Sequence, residues 1–389
     1  MKKFCFIYFL LIISYGYSQE NLYWFKNDIE NTFIKDTVKD KSWRSQMGAT
    51  YFSISNNYKN ALESWDISFG REKIITEKDR IIFSNYKSVN AKKFIINRSK
   101  KEQMIIINEA HHNSSHRNFA KSLLKGLYKN GYRYLGVETL ENDDSLNIRK
   151  FANQESGFYS KEPQFGLFLK EALSIGFKVF PYESNGNGKE REIGQAKNIS
   201  DFMTKNNQGK MLIYCGYEHA YEGKHQTWEK TMAERVKDLT GINPFTIDQT
   251  KFSERSQEKF TEPLVKMINK KYPSILVDKN GNIFNGENSD FYTDAVIIGA
   301  TTHYENGKPN WMLEKGKIYY AIPQIPKQKS VLVHAYKEGE YKGQGIPEDI
   351  TEIESWDGNN YLILGKGNYD LIYLNEEYKT VKSEKIKIK

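Results

Sequence analysis

Met104-Ile105-Ile106-Ile107-Asn108-Glu109-Ala110-His111-His112-Asn113-Ser114-Ser115-His116-Arg117 is the stretch whose reading decides the fold. An apolar run stops at a carboxylate, and three of the chain's seven histidines follow within six positions. So short a run, rich in β-branched residues, suits a strand buried on both faces. Helical spacing begins at once. Phe119, Leu123, Leu124, Leu127 and Tyr128 recur between about Ser115 and Asn130. Ser114 or Ser115 can cap that helix, and Gly131 stands where a terminating glycine belongs. The stretch reads as the first strand of an α/β sheet, an active-site loop at its carboxyl end, and the helix that leaves it.

Downstream the same alternation repeats. Strands are expected at Tyr134–Val137, Phe177–Tyr182, Lys210–Cys215, Phe245–Ile247, Ser274–Val277 and Ala295–Ile298. Helices are expected at Phe165–Ile175, Glu190–Lys205, Thr227–Leu239 and Ser256–Lys270. Strand and helix in turn over at least five units predict an open, mainly parallel, doubly wound α/β sheet with helices on both faces. Fewer than eight units argue against a closed barrel.

Four segments follow from this frame. Residues 1–18 read as a signal peptide: Lys2 and Lys3, an apolar run from Phe4 to Tyr15 too short for a membrane span, then Gly16-Tyr17-Ser18. Residues 19–100 read as an N-terminal helical segment. It has one long helix from Trp43 to Trp65, faintly like a tetratricopeptide hairpin, and another at Asn90–Arg98. Residues 101–312 form the α/β domain. Residues 313–389 read as a small β-rich appendage with a solvated basic tail, with turns at Asp357-Gly358 and Gly365-Lys366-Gly367.

The formal charge of +8 is unevenly placed. Lys2, Lys3 and the lysines from Lys379 onward supply most of it, which leaves about +2 for the rest and no case for nucleic-acid binding. Aromatic content is 14%, which is globular rather than disordered. No later stretch is long enough to cross a membrane. The expectation is an exported protein, periplasmic or secreted. Cys5 leaves with the signal peptide, so Cys215 has no internal partner and reads as a buried filler.

The titratable residues follow the strands: Glu109 and His112, Glu138, Glu183, His219, Asp248, His303. Ligands bind where the carboxyl ends of parallel strands converge. Glu109 and His112, three apart, can share a site. Glu138 ends an apolar strand, where a charge is costly unless paired or used. Glu183 closes the next strand, Gly216 gives access beside His219, and Arg191 can pair the carboxylates or grip an anion. His111 and His116 rank lower as site residues, His225 reads as a helix start, and His334 as structural. These types support water activation by a histidine base. They equally support a divalent metal, or haem ligation. No Walker loop, Gly-x-Gly-x-x-Gly or Gly-x-Ser-x-Gly occurs.

Glu109-Ala110-His111-His112, the strand-end Glu138, Arg191 to Ile199, and Gly216-Tyr217-Glu218-His219 resemble the erythromycin esterase, ChaN and TraB/TIKI superfamily over about residues 101–305. The esterase branch is the most similar, and Lys308-Pro309-Asn310-Trp311 adds a weaker likeness to its Pro-x-Trp segment. The resemblance implies that His112 activates water with support from Glu109 and Glu138, that His219 completes the site, and that Arg191 organises it. It allows a divalent metal, zinc or manganese, on His112, His219, Glu109 and Glu138. The family's glycine before the first Glu is Asn108. The branches differ in chemistry: lactone-opening esterases, metal-dependent proteases, haem binders.

The leading expectation is hydrolysis of an ester or amide in a small molecule or peptide by Glu/His-activated water, with or without a divalent metal. A haem- or metal-binding protein without catalysis is the alternative. A non-catalytic cell-envelope scaffold is the third.

Overall fold

The computed structural model describes residues 21–35, 41–141, 145–286, 290–325, 330–358 and 360–389, so the expected signal peptide lies outside the described residues. After a short helical stretch over Lys26–Ile29 and Glu30–Ile34 comes a helical hairpin, α1 (Lys41–Ile54) and α2 (Tyr58–Phe69), followed by α3 (Glu77–Asn85). Then come β1 (Tyr86–Asn90), α4 (Ala91–Arg98), β2 (Met104–Glu109), α5 (Ser114–Lys129), β3 (Tyr132–Val137), α6 (Pro163–Ile175), β4 (Lys178–Pro181), α7 (Lys189–Lys205), β5 (Lys210–Gly216), α8 (Met232–Thr240), β6 (Phe245–Phe252), α9 (Pro263–Ile268), β7 (Ser274–Asp278) and β8 (Ala295–Ile298). These eight strands form one sheet in the order β1-β7-β8-β6-β2-β5-β3-β4. The six from β8 to β4 run parallel, while β7 and β1 add an antiparallel edge.

Alternation along the strands decides the layers. Ile105, Ile107, Leu135, Val137, Leu212 and Tyr214 face α4, α5 and α6 through Ala91, Leu124 and Phe168. Met104, Ile106, Met211, Ile213 and Cys215 face α7 and α8 through Ala196, Ile199, Met232 and Val236. β2 lies in the middle, buried along its whole length. This is the doubly wound α/β sheet that the alternation predicts.

Four boundaries depart from expectation. The single helix over Trp43–Trp65 is two, broken at Asn56, whose φ of 64° no continuous helix allows. The segment ahead of residue 101 is not purely helical, because β1 pairs with β7 and so belongs to the central sheet. The helix over Ser256–Lys270 shrinks to α9, since Pro263 suits a first turn and breaks an interior. The helix expected from Thr227 starts only at Met232.

Beyond residue 313 lie β9 (Lys317–Ala321), β10 (Val331–Lys337), β11 (Asp349–Ile353), β12 (Tyr361–Gly365), β13 (Gly367–Leu374) and β14 (Thr380–Ile388). They make an antiparallel sheet β11-β10-β13-β14 and a pair β9-β12, packed across Val333, Leu364 and Leu371. The basic tail is therefore β14, paired along β13, not a solvated extension. Buried Asp349 ties the appendage to the rest: it accepts from Asn56 Nδ2 at 2.6 Å, Lys308 Nζ at 2.7 Å and the Ile363 amide at 2.6 Å. Lys308 thus serves a joint rather than a site. Among the described residues no helix is long and apolar enough to cross a membrane.

Candidate active site

Strand alternation sends the first two acids to opposite faces. Glu109 keeps the parity of Ile105 and Ile107 and leaves toward α5. There Arg117 grips it in a fork, Nε to Oε2 at 2.7 Å and a terminal nitrogen to Oε1 at 2.7 Å. Tyr214 donates to Oε2 at 2.7 Å, and His111 Nδ1 stands 2.9 Å from Oε1. Arg117 also reaches Glu162 at 3.0 Å, and all three charges are buried. Burial alone would raise the Glu109 carboxyl, but the Arg117 charge and the bonds from Arg117 and His111 hold it well below the usual range. Glu109 is therefore an acceptor, and His111 carries its proton on Nδ1.

Glu138, one residue past Val137, leaves toward α7. Arg191 donates to Oε1 at 2.5 Å, and the Gly216 amide donates to Oε2. Arg191 also forks onto Glu183, Nε to Oε1 at 2.9 Å and a terminal nitrogen to Oε2 at 2.7 Å. Glu183 takes further bonds from the Thr139 and Ser184 amides and Gln195. Burial pushes Glu138 up, yet His219, His111 and Arg191 together hold it low.

His219 closes the cluster. Its Nε2 lies 2.9 Å from an Arg191 nitrogen and 3.3 Å from Glu138 Oε1, and its Nδ1 lies 2.6 Å from Glu192 Oε1, too bent for a regular hydrogen bond. Burial lowers this imidazole, but Glu138 and Glu192 outweigh it and raise it above the ordinary value. With Arg191 donating to Nε2 the ring is neutral; a proton on Nε2 would pair with Glu138 instead.

The two halves meet at Gly216. A side chain there would run into His111 Cε1 and Nε2 and come within 3.1 Å of Glu138 Oε2. The free edge of His111 thus points across β5 toward Glu138. Tyr159 stacks on its face, with ring centroids 3.8 Å apart, and Tyr217 meets it edge-on at 5.0 Å. An open groove of about 840 Å³, lined by Leu140, Phe158, Glu183 and Arg191, leads to the cluster.

The structure brings together Glu109, Glu138, Glu183, Arg191 and His219. It does not bring in His112. That ring turns away and stacks on Trp65 of α2 at 4.0 Å, its Nδ1 buried without a partner. His111 holds the place that the motif spacing gave to His112. His116 accepts the Ala110 amide at 3.1 Å, a structural bond. Asp248 is spent on Asn108, Thr250 and Tyr221. Asn108 also bonds the Tyr217 carbonyl at 2.7 Å and the Gln249 amide at 2.7 Å, so its side chain pins β2 to β6 and to the turn after β5. Cys215 is buried and its thiol pushed up, unsuited to attack. Arg117, Tyr159, Tyr217 and Glu192 are the site members that sequence reasoning missed. Arg117 had a signal: it shares the face of Ala120, Leu124 and Leu127, a charge on an apolar stripe.

The metal set His112, His219, Glu109 and Glu138 does not fit. His112 is elsewhere, Glu109 is held by Arg117, and the Arg191 guanidinium lies between Glu138, Glu183 and His219, where a cation would have to sit. Among the described residues no three such donors are grouped to hold a metal.

No family model matches this chain. No curated protein matches it either. Solved structures align in part. The type III effector HopBA1 is 10% identical over 38% of this chain and 82% of its own, with a TM-score of 0.29. RRSP, a MARTX toxin effector domain from Vibrio vulnificus CMCP6, is 13% identical over 61% of this chain and 55% of its own, at 0.32. The C-terminal region of Pasteurella multocida toxin, described with a thiol-protease-like triad, is 10% identical over 84% and 50%, at 0.30. The chain spans about half the length of the last two. Likeness at this level carries no argument about activity, and the esterase resemblance rests on its motifs.

The buried imidazoles set a pH response. Burial lowers His112 well below its ordinary value and pushes His116 down to about 4. Unfolded histidines take protons near pH 6.5, so between that pH and about 4 the unfolded chain gains protons that the folded one refuses, and stability falls. At pH 5 each such histidine costs about 2 kcal/mol relative to pH 7. His219 works the other way: its contribution is full below about pH 6.5 and is lost as pH rises through its raised folded value. Glu109 and Glu138, held low, lose their contribution only below about pH 4.5. His334, likewise buried and pushed down to about 3, joins His112 and His116, and these three lowered histidines outweigh raised His219 and the Glu352 carboxyl, which burial pushes up to about 7, so the urea midpoint at pH 5 is expected to lie below that at pH 7; an equal or higher midpoint contradicts this balance.

Proposed function

We propose that the chain is an exported hydrolase of the erythromycin esterase-like type, which cleaves an ester or amide with a water activated by His111. The observation that carries this reading is the paired arrangement across Gly216: a Glu109–His111 dyad with its free nitrogen aimed at a second dyad, Glu138–His219. Glu109 fixes the tautomer, so the His111 Nε2 lone pair can take a proton from water as the oxygen attacks the carbonyl. In the state where Nε2 carries a proton and pairs with Glu138 rather than Arg191, a state that the Glu138 and Glu192 charges favour, His219 returns a proton to the leaving alcohol or amine. Arg191, bound to Glu138 and Glu183, holds His219 in place and balances the negative charge gathered there. Tyr159 and Tyr217 keep the His111 ring from swinging away.

Turnover of a panel of simple esters and short peptides tests the reading. The wild type is expected to hydrolyse at least one member, His111→Ala to lose that activity, and His112→Ala to keep it. Equal activity in wild type and His111→Ala would overturn the mechanism. Loss in His112→Ala alone would return the base to the residue that the motif spacing named.

A further inference from the structure

A second cavity lies far from this cluster, where the chain before α1 crosses the appendage. It has a volume of about 260 Å³ and is walled by Tyr23, His334, Tyr336, Tyr341, Gln344 and Tyr378, among others. No Asp, Glu, Lys or Arg is among the described residues lining it, although charged residues make up 27% of the chain. Among the described residues the walls offer aromatic and aliphatic faces, amides, hydroxyls and one imidazole.

One side chain of the wall carries an unsatisfied atom. His334, on β10, is 4% exposed, with its Nδ1 bonded to the Tyr336 hydroxyl at 3.3 Å. Its Nε2 is buried without a partner. Tyr23 meets the ring edge-on at 5.0 Å. A buried polar atom in this position is costly until something bonds it. If Tyr336 donates to Nδ1, Nε2 is an orphan donor; if Nδ1 donates, Nε2 is an orphan acceptor. A hydroxyl satisfies either case, because it both donates and accepts. Burial also keeps this imidazole neutral, pushed down to about 3, so it offers no charge to an ionic ligand.

We propose that this cavity binds a neutral sugar ring, with His334 Nε2 on a ring hydroxyl and the tyrosine faces against its C–H surface. The absence of lining charge speaks against phosphates, carboxylates and amines. The volume suits one ring rather than a chain, so the ligand is a monosaccharide or the end unit of a neutral glycan. The site belongs to the appendage, and its use does not depend on the hydrolytic cluster.

Titration calorimetry on the full chain, with glucose, galactose, mannose and N-acetylglucosamine beside glucuronate, tests the proposal. At least one neutral sugar is expected to bind and glucuronate to fail. Tyr341→Ala, at a ring 44% exposed and so dispensable for folding, is expected to weaken binding about tenfold, the loss of one stacked face. His334→Phe is expected to abolish binding, and if it misfolds the Tyr341 variant still decides. No binding by any neutral sugar, binding of glucuronate with equal strength, or full binding in Tyr341→Ala would each overturn the proposal.

Discussion

Replacing Arg117 by methionine is expected to lower the unfolding free energy by about 3–5 kcal/mol, the cost of leaving buried charges without their partner. The side chain is 1% exposed and bonds two acids that are equally buried, Glu109 and Glu162. Methionine fills similar space but offers no donors. Glu109 would keep Tyr214 and His111, and Glu162 would keep the Phe165 amide and Tyr58, so neither is orphaned outright. Both would still face a low-dielectric interior as uncompensated anions, and their carboxyls would rise toward protonation. The triple change Arg117→Met, Glu109→Gln, Glu162→Gln should recover most of the loss, because it removes the charges together. Urea unfolding measures both. A loss in the single variant below about 1 kcal/mol would show that the triad behaves as a surface network. Activity should fall with stability, since a protonated Glu109 no longer fixes the His111 tautomer.

The sheet was legible because its signal is local. Ile105-Ile106-Ile107 is buried on both faces, and the residues after each strand reach one edge, as the alternation predicts. Two features were not local. Whether His111 or His112 enters the site depends on the turn after Glu109, and that turn is settled by Trp65, which covers His112 from a helix some 40 residues upstream. Nothing in the spacing Glu-x-x-His encodes that covering ring. The tail failed for a related reason. Thr380–Ile388 alternates lysine with smaller residues, which composition reads as solvated charge, while its backbone pairs with β13 and its lysines stand on an exposed edge. By contrast, Pro263 inside a supposed helix and Arg117 on an apolar stripe were visible signals, each readable from chain position and side-chain chemistry.

Gly216→Ala separates geometry from folding more cleanly than removal of a catalytic group. The backbone at Gly216 has φ −88° and ψ 148°, an extended conformation open to any residue, so alanine brings no backbone strain. The single added methyl meets one target, the His111 ring at Cε1 and Nε2, with Glu138 Oε2 just beyond. That ring has little room to move, because Glu109 holds Nδ1 at 2.9 Å and Tyr159, stacked on its face with centroids 3.8 Å apart, blocks tilting. The methyl therefore displaces the free nitrogen from its line toward Glu138, or breaks the bond to Glu109. Either outcome removes general-base help, and kcat/KM should fall about 10²–10⁴-fold. Overpacking of this kind costs about 1–3 kcal/mol of stability, small enough for the folded state to survive. Adding His111→Ala to Gly216→Ala should then lose little more, since both act on one group. Wild-type turnover in a folded Gly216→Ala protein would mean that His111 does not work from this position, and the water would need another base.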